Sequence, residues 1–269
     1  MQKSPLHKIG YILTWRDDAS GQRRANLMAV LAWLAGHPQI EPILVEQDAV
    51  PRLDGALPHP HCMHVFAYNP GPFNKSWGLN VGFRRSTHAW LAFADADIVL
   101  GDALAGVQQH LDRGNQAIKP YRRLVDLDDA ESARVRAGEF DFVPDRRGSA
   151  PNREGVGERI VFAGGLFLIA RGAFRRIGGW DERFRGWGGE DDAMSYRLER
   201  ARVAGIELDS RPAVHLAHPR GQETTFAQPH YAANRNLLEG YRHMEDAQLE
   251  RFSEIQMQII GNHDKYRPE

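Results

Sequence analysis

The 269-residue chain carries 34 Lys+Arg against 35 Asp+Glu, a formal charge of −1, and this balance excludes broad electrostatic capture of nucleic acid, a local patch aside. Hydrophobic residues make up 42%, enough for a globular core and too many for a disordered chain. One cysteine, Cys62, excludes an internal disulfide framework and a multi-Cys zinc site and fits a reducing compartment, so with 12 His any metal must be held by imidazoles and carboxylates.

Ile9 to Thr14 reads as a buried strand, beginning almost at once. Asp17, Asp18 and Ser20 offer caps for a helix carrying Leu27, Val30, Leu31 and Leu34 on one face, which Gly36 and Pro38 end. Ile40 to Val45 is a second strand, with Glu46, Gln47 and Asp48 at its C-terminal end. Strand, helix, strand is the βαβ opening of a parallel sheet. A Pro-rich loop over 48–60 and a short strand from Val65 to Tyr68 follow. Phe73, Trp77 and Val81 share one face of a helix. Ala89 to Ala94 is a central strand ending in Asp95-Ala96-Asp97. Asp102 caps a helix with Leu104, Val107 and Leu111 inside, and Gln116 to Lys119 gives another strand.

Residues 124–159 are charged and poor in apolar side chains, and read as an excursion over the surface. Ile160 to Ala170 returns to the core, and a short helix ends at Gly178-Gly179. Trp180 to Asp192 leads into a helix that Gly205 stops, Ile206 to Leu216 is extended, and the rest is mostly helical. No repeat or long linker interrupts the chain. The expectation is one α/β domain over 1–269, with a mostly parallel sheet and a helical tail from about 222. The N-terminus lacks a signal-peptide core, and the apolar run over 160–170 is too short to span a bilayer. A cytoplasmic protein, or one docked at the inner face of a membrane, is expected.

Four segments carry chemistry. Asp95-Ala96-Asp97 follows a hydrophobic strand, and ligand crevices lie at the carboxyl ends of such strands. Two carboxylates there can hold a divalent cation on a diphosphate, or be solvated turn residues. Trp187-Gly188-Gly189-Glu190-Asp191-Asp192 opens a helix whose free N–H groups keep carboxylates ionised, as capping or as a general base requires. The glycines permit close approach of a ligand, and Trp187 offers a flat face for a sugar. His215 and His218 can aim two imidazoles at one ion, and with Asp-x-Asp and no thiol partner they read as a His/carboxylate metal site. Arg16 and the following helix start can meet a phosphate. Neither G-x-G-x-x-G nor a P-loop is present, which disfavours a dinucleotide site and excludes a P-loop enzyme. His59, His61 and His64 around Cys62 read as loop decoration.

The stretch Phe73 to Phe83 (FNKSWGLNVGF), the Asp95/Asp97 pair, Gly164-Gly165, Gly178-Gly179-Trp180 and Trp187 to Asp192 occur in an order that resembles the β-1,4-galactosyltransferase family and its bacterial relatives. These are GT-A (Rossmann-like nucleotide-diphosphosugar transferase) enzymes. Polypeptide N-acetylgalactosaminyltransferases and chondroitin-type polymerases share weaker versions. The likeness runs from about Ile9 to about His218, and nothing after Gln222 takes part. It implies a nucleotide-sugar and metal half over about 1–100, an acceptor half over about 101–221, and the tail.

The resemblance implies a UDP-sugar donor of galactose or N-acetylhexosamine type, a glycan or glycoside acceptor, and manganese, with magnesium as a substitute. It implies Asp97, His215 and His218 as metal ligands. His215 stands where the family has a thioether, and a harder imidazole donor implies broader metal preference. Asp95 falls on the nucleotide side, with Thr14, Arg16, Glu46, Asp48, Asn74 and Lys75 at nucleotide-contacting positions. Asp191 matches the catalytic base. Glu190 and Asp192 would hold the acceptor, Trp187 matches the Trp of a mobile loop that closes over donor and acceptor, and Gly188, Gly189 and Gly165 would line the same site. The family's animal members carry an anchor and disulfides, so a soluble bacterial-type form is expected. Transfer with inversion follows. Alternatives are a metal-dependent nucleotide-diphosphosugar hydrolase, a retaining transferase of the same fold, and a non-catalytic sugar-binding module.

Overall fold

The structure is a computed structural model describing residues 7–111, 113–145, 162–208, 210–219 and 228–268. The βαβ opening is present as β1 (Ile9–Trp15), α1 (Gln22–Ala35) and β2 (Ile40–Asp48), with β2 parallel to β1. Then come β3 (Met63–Tyr68), α2 (Lys75–Arg85), β4 (Trp90–Ala94) and β5 (Ile98–Val99). Two single turns, α3 (Ala103–Gly106) and α4 (Gln108–Leu111), precede β6 (Ala117–Lys119), β7 (Leu124–Asp126) and α5 (Asp129–Arg136). The second half holds β8 (Leu166–Ala170), α6 (Arg171–Arg176), α7 (Glu190–Arg200), β9 (Gly205–Glu207), β10 (Ala213–His215), α8 (Tyr231–His243) and α9 (Asp246–Ile259).

The main sheet has seven strands in the order β3-β2-β1-β4-β8-β6-β9. Neighbours are parallel except at β8, which runs antiparallel to β4 and β6. Every residue of β1 and β4 is buried, as expected of strands covered on both faces. The two-residue period sorts their side chains. Tyr11, Leu13, Ala92 and Leu168 join α1 on one face; Ile12, Leu91, Phe93, Phe167 and Ile169 join Leu79 and Phe83 of α2 on the other.

Helix α2 lies unusually close to β1. A Cβ at Gly82 would stand 2.4 Å from Ile12 Cγ2, and one at Gly78 would stand 2.0 Å from Thr14 Oγ1. Two helical glycines four apart cost about 0.5–1 kcal/mol each in chain entropy, but they let the helix backbone rest on the strand. This closeness fixes where the first residue of α2, Lys75, enters the crevice.

Several expectations are corrected. The residue capping α1 is Gly21, in the left-handed region; Asp17 and Asp18 turn to Arg24 and Arg23, while Ser20 Oγ accepts from Gln22 N, the first residue of the helix, at 3.1 Å. Asp102 makes no cap bond. Phe73 precedes α2, which Asn74 caps by accepting from Trp77 N at 2.9 Å. The segment read as a surface excursion contains β7 and α5, and Val125, Leu127 and Val135 are core residues. The rest of it, over 146–159, and residues 160–161 of the apolar run lie outside the described residues. The extended run from Ile206 to Leu216 divides between two sheets, because β10 leaves to form a second sheet in the order β5-β10-β7.

The tail is part of the core. Leu238, Tyr241 and Leu249 pack with Phe184 and Ala193. Beyond α9 the chain returns to α2, where Trp77 Nε1 donates to Asn262 O at 2.7 Å and Tyr266 meets the Trp77 ring edge-on at 4.8 Å. Among the described residues no helix is long and apolar enough to cross a membrane.

Candidate metal and glycosyl-transfer site

Strand β4 delivers Asp95-Ala96-Asp97 to its carboxyl end, and the second sheet delivers the imidazoles. His215 pairs with Ile98 in antiparallel register, and Leu216 N donates to Asp97 O at 2.9 Å. Ala217 O, between the two histidines, accepts from Asn26 Nδ2 at 3.1 Å and Arg136 Nη2 at 2.9 Å. His215 Nε2 then lies 3.4 Å from Asp97 Oδ1, and His218 Nε2 lies 3.3 Å from Asp97 Oδ2. One ligand atom from each of the three lies within 4.8 Å of the others.

This donor set fits a divalent cation. Asp97 Oδ1 is buried with no hydrogen-bond partner. Asp126 Oδ1 lies 2.7 Å from His215 Nδ1, which leaves Nε2 facing the cluster, the arrangement that orients metal-binding histidines. Burial pushes the Asp97 carboxyl up, but His215, His218 and Arg23 outweigh it and hold it down at about 2. Burial lowers His215, yet Asp97 and Asp126 reverse this and raise it to about 10. His215 would release that proton on taking up a cation.

The second cluster is built around Lys75. Its Nζ lies 2.8 Å from Asp95 Oδ1, 3.1 Å from Asp191 Oδ1 and 3.5 Å from Glu190 Oε1. Burial disfavours the ammonium, but Asp191, Asp95 and Glu190 more than compensate and lift its pKa well above the ordinary lysine value. Asp95 is raised, chiefly by burial and then by Asp191 and Asp97, with Lys75 opposing. Asp191 and Glu190 come from the first turn of α7, whose preceding Gly188 and Gly189 have φ of 99° and 91°. Asp192 is half-buried in the same turn. Gly165, at φ 74°, accepts from Asp95 N through its carbonyl at 2.8 Å, and a Cβ there would stand 2.4 Å from Tyr121 Oη.

The structure therefore links Asp95, Asp97, His215, His218, Lys75, Glu190, Asp191 and Gly165 in one polar cluster. The five other residues expected at nucleotide-contacting positions make these bonds within the chain. Asn74 is fully buried, capping α2 and donating to Glu182 O at 2.9 Å and Tyr266 Oη at 3.0 Å. Glu46 is fully buried; it accepts from Arg52 N and Leu53 N and pairs with His64. Thr14 is buried against Gln47, whose Nε2 donates to its hydroxyl at 2.6 Å. Asp48 holds Ala49 N and Arg52 at the strand end. Arg16 donates to the carbonyls of Gln47, Gly71 and Asn69 at 2.7, 2.7 and 2.8 Å, tying the β2 and β3 ends together.

Sequence reasoning missed Asp126, Lys119 and Tyr121. Lys119 is buried at the end of β6 with its ammonium on Gly164 O and 4.4 Å from the Tyr121 ring centre. Burial pulls its pKa down to about 7 against the opposing charges of Asp191, Asp95 and Glu207. A lysine closing a short strand carries no signal of this in sequence. Cys62 and its neighbouring histidines form no metal cluster among the described residues, and burial pushes the thiol up to about 12.

The family model described as the N-terminal domain of galactosyltransferase matches residues 158–219. The catalytic domain of Drosophila beta1,4-galactosyltransferase 7, solved with xylobiose, superposes with a TM-score of 0.52 over 89% of this chain and 82% of that one, at 16% identity. The chain has the GT-A fold. A mutant of the same Drosophila enzyme, solved with manganese, UDP-Gal and xylobiose, superposes with a TM-score of 0.50 over 86% of this chain and 80% of that one, at 14% identity. Among curated proteins, mouse polypeptide N-acetylgalactosaminyltransferase 4 is 31% identical over 74 residues, which are 28% of this chain and 12% of that protein. Drosophila melanogaster polypeptide N-acetylgalactosaminyltransferase 3 is 36% identical over 67 residues, 25% of this chain and 10% of that protein. The matched segment thus spans about a tenth of these relatives.

Proposed function

We propose that this GT-A chain is a metal-dependent glycosyltransferase of galactosyltransferase type. It moves a sugar of galactose or N-acetylhexosamine type from a UDP-sugar to a hydroxyl of a glycan or glycoside. The observation that carries the reading is the adjacency of two clusters: Asp97, which groups with His215 and His218, stands two residues beyond Asp95, and Asp95 shares Lys75 with Asp191. A site for a diphosphate's cation thus abuts a carboxylate able to act as a base.

Asp97, His215 and His218 would hold a manganese or magnesium ion, which when bound neutralises negative charge on a departing diphosphate. Asp191 accepts the proton of the acceptor hydroxyl. The acceptor oxygen bonds to the anomeric carbon from the face opposite the leaving group, through an oxocarbenium-like state. The bond to the diphosphate oxygen breaks and its electron pair leaves with UDP. Attack on the opposite face inverts the anomeric centre. Lys75 holds Asp95 and Asp191 at fixed separation, and Glu190 and Asp192 accept from the other acceptor hydroxyls. Trp187 supplies an apolar face that limits water access.

The test is a panel of UDP-sugars with manganese, with and without glycoside acceptors, analysed for product and anomeric configuration. Transfer yielding a β-linked product from an α-linked donor supports the reading. Free sugar as the sole product, at equal rates with and without acceptor, would establish the hydrolase instead.

A further inference from the structure

We infer that Asn234 and Gln228, in the C-terminal helical segment, are positioning residues that clamp the Trp187 loop for acceptor capture. The inference rests on the transferase reading and adds the tail to the working parts of the site.

The loop over 185–189 has little conformational preference of its own. Three of its five residues are glycines at positive φ: Gly186 at 63°, Gly188 at 99° and Gly189 at 91°. Glycine has the most freedom to lose on ordering, so such a loop needs external bonds to hold one shape. Asn234 supplies them. Its Oδ1 accepts from Arg185 N at 3.2 Å, and its Nδ2 donates to Arg185 O at 2.9 Å and Trp187 O at 3.2 Å. Gln228 Nε2 donates to Trp187 O at 2.9 Å, while its Oε1 accepts from His230 N at 2.9 Å, which fixes the amide's orientation. Asn234 is 2% exposed and Gln228 is 4% exposed, so these bonds are shielded from water.

The aromatic part of the loop meets the same segment. Tyr231 stacks on Trp187 with ring centres 6.1 Å apart and planes 16° from parallel. From the other side, Gly186 N donates to Phe73 O at 3.0 Å, two residues before Lys75. The loop runs directly into α7, where Ala193 N donates to Gly189 O at 2.9 Å and Asp191 stands. A shift of the loop would therefore move both the Trp187 indole and the entry to the base. The metal cluster is carried by β4 and the second sheet, so it should not feel the change.

Asn234→Asp tests this with an isosteric change. It keeps the acceptor for Arg185 N but turns lone pairs towards two carbonyls. Acceptor kcat/KM should fall about tenfold or more, since a tenfold effect needs only one such bond. Manganese-dependent UDP binding by calorimetry should stay within about twofold. Amides 185–189 should exchange with deuterium about tenfold faster. Gln228→Ala should give smaller changes in the same direction, and it decides the matter if Asn234→Asp does not fold. Wild-type acceptor kcat/KM in a folded variant, unchanged loop exchange, or a parallel loss of UDP binding would each overturn the positioning role. A wild-type protein that transfers no sugar overturns the transferase reading, and the acceptor role with it. The exchange measurement still reports separately whether the loop is clamped.

Discussion

The Lys75 ammonium lies 3.1 Å from Asp191 Oδ1, and the same nitrogen lies 2.8 Å from Asp95 Oδ1. One cation thus links the carboxylate nearest the metal ligands to the carboxylate read as the base. Only 15% of the Lys75 side chain is exposed, so the linkage is little screened. Lys75→Met should take the shared cation away from three carboxylates, lowering unfolding free energy by about 3 kcal/mol. Transfer should fall through kcat as well as donor KM. Denaturant unfolding and initial rates check this; a change in donor KM alone would reduce Lys75 to a nucleotide contact.

Asp191→Asn keeps the side-chain shape but removes the negative charge. Transfer should drop by about 10²–10⁴, the range for loss of a general base. Metal-dependent UDP binding should persist. Steady-state rates and calorimetry measure the two separately, and wild-type rates in the variant would reject Asp191 as the base.

Replacing His215 and His218 together by Ala should remove metal dependence. In the wild type, manganese at 100 times its Kd should add about 2.7 kcal/mol to stability, and the double variant should show no such gain. Asp126→Ala should weaken metal binding by about 10–100-fold while leaving the ligands in place, because His215 loses the group that orients it. Thermal shifts across a manganese titration test both. Equal manganese shifts in all three proteins would mean that the cation binds elsewhere.

Lys119 gives a pH prediction. Its pKa of about 7 in the folded chain lies below the value of roughly 10.4 in an unfolded one. Between those values the unfolded chain binds more protons, so stability rises with pH by up to about 1.4 kcal/mol per unit. Below the folded value both states are protonated, and the buried charge carries its full cost. Lys119→Met lacks this slope, so its stability relative to the wild type should be greatest near about pH 6 and diminish towards about pH 9. Parallel unfolding curves across that range would show that Lys119 is charged in the folded protein throughout.

Local pattern was enough for much of this protein. The alternation of βαβ elements, the apolar strand ending at Asp95-Ala96-Asp97, and the glycine-flanked Trp187 before three acids are contiguous in sequence, so short-range periodicity and turn chemistry reveal them. The near absence of thiols pointed only to imidazole and carboxylate ligands; the choice of His215, His218 and Asp97 among 12 His and 35 Asp+Glu came from the family resemblance, and the structure brings the three together.

Other features required the tertiary structure, because they join residues whose sequence separation carries no periodic signal. Asn74 and Glu46 look like polar ligands in a string of letters, yet burial and neighbouring backbone groups commit them to holding the fold. Asp126 belonged to a segment read as surface, and pairing of β7 with β10 placed it behind His215. The tail looked like an appendage, and Asn234 became a clamp only when α8 packed beside the Trp187 loop. Sequence determined which chemical groups were available and which strand ends present them. Long-range packing decided which polar atoms are left free to meet a ligand, because a buried donor or acceptor must find its partner wherever the fold supplies one.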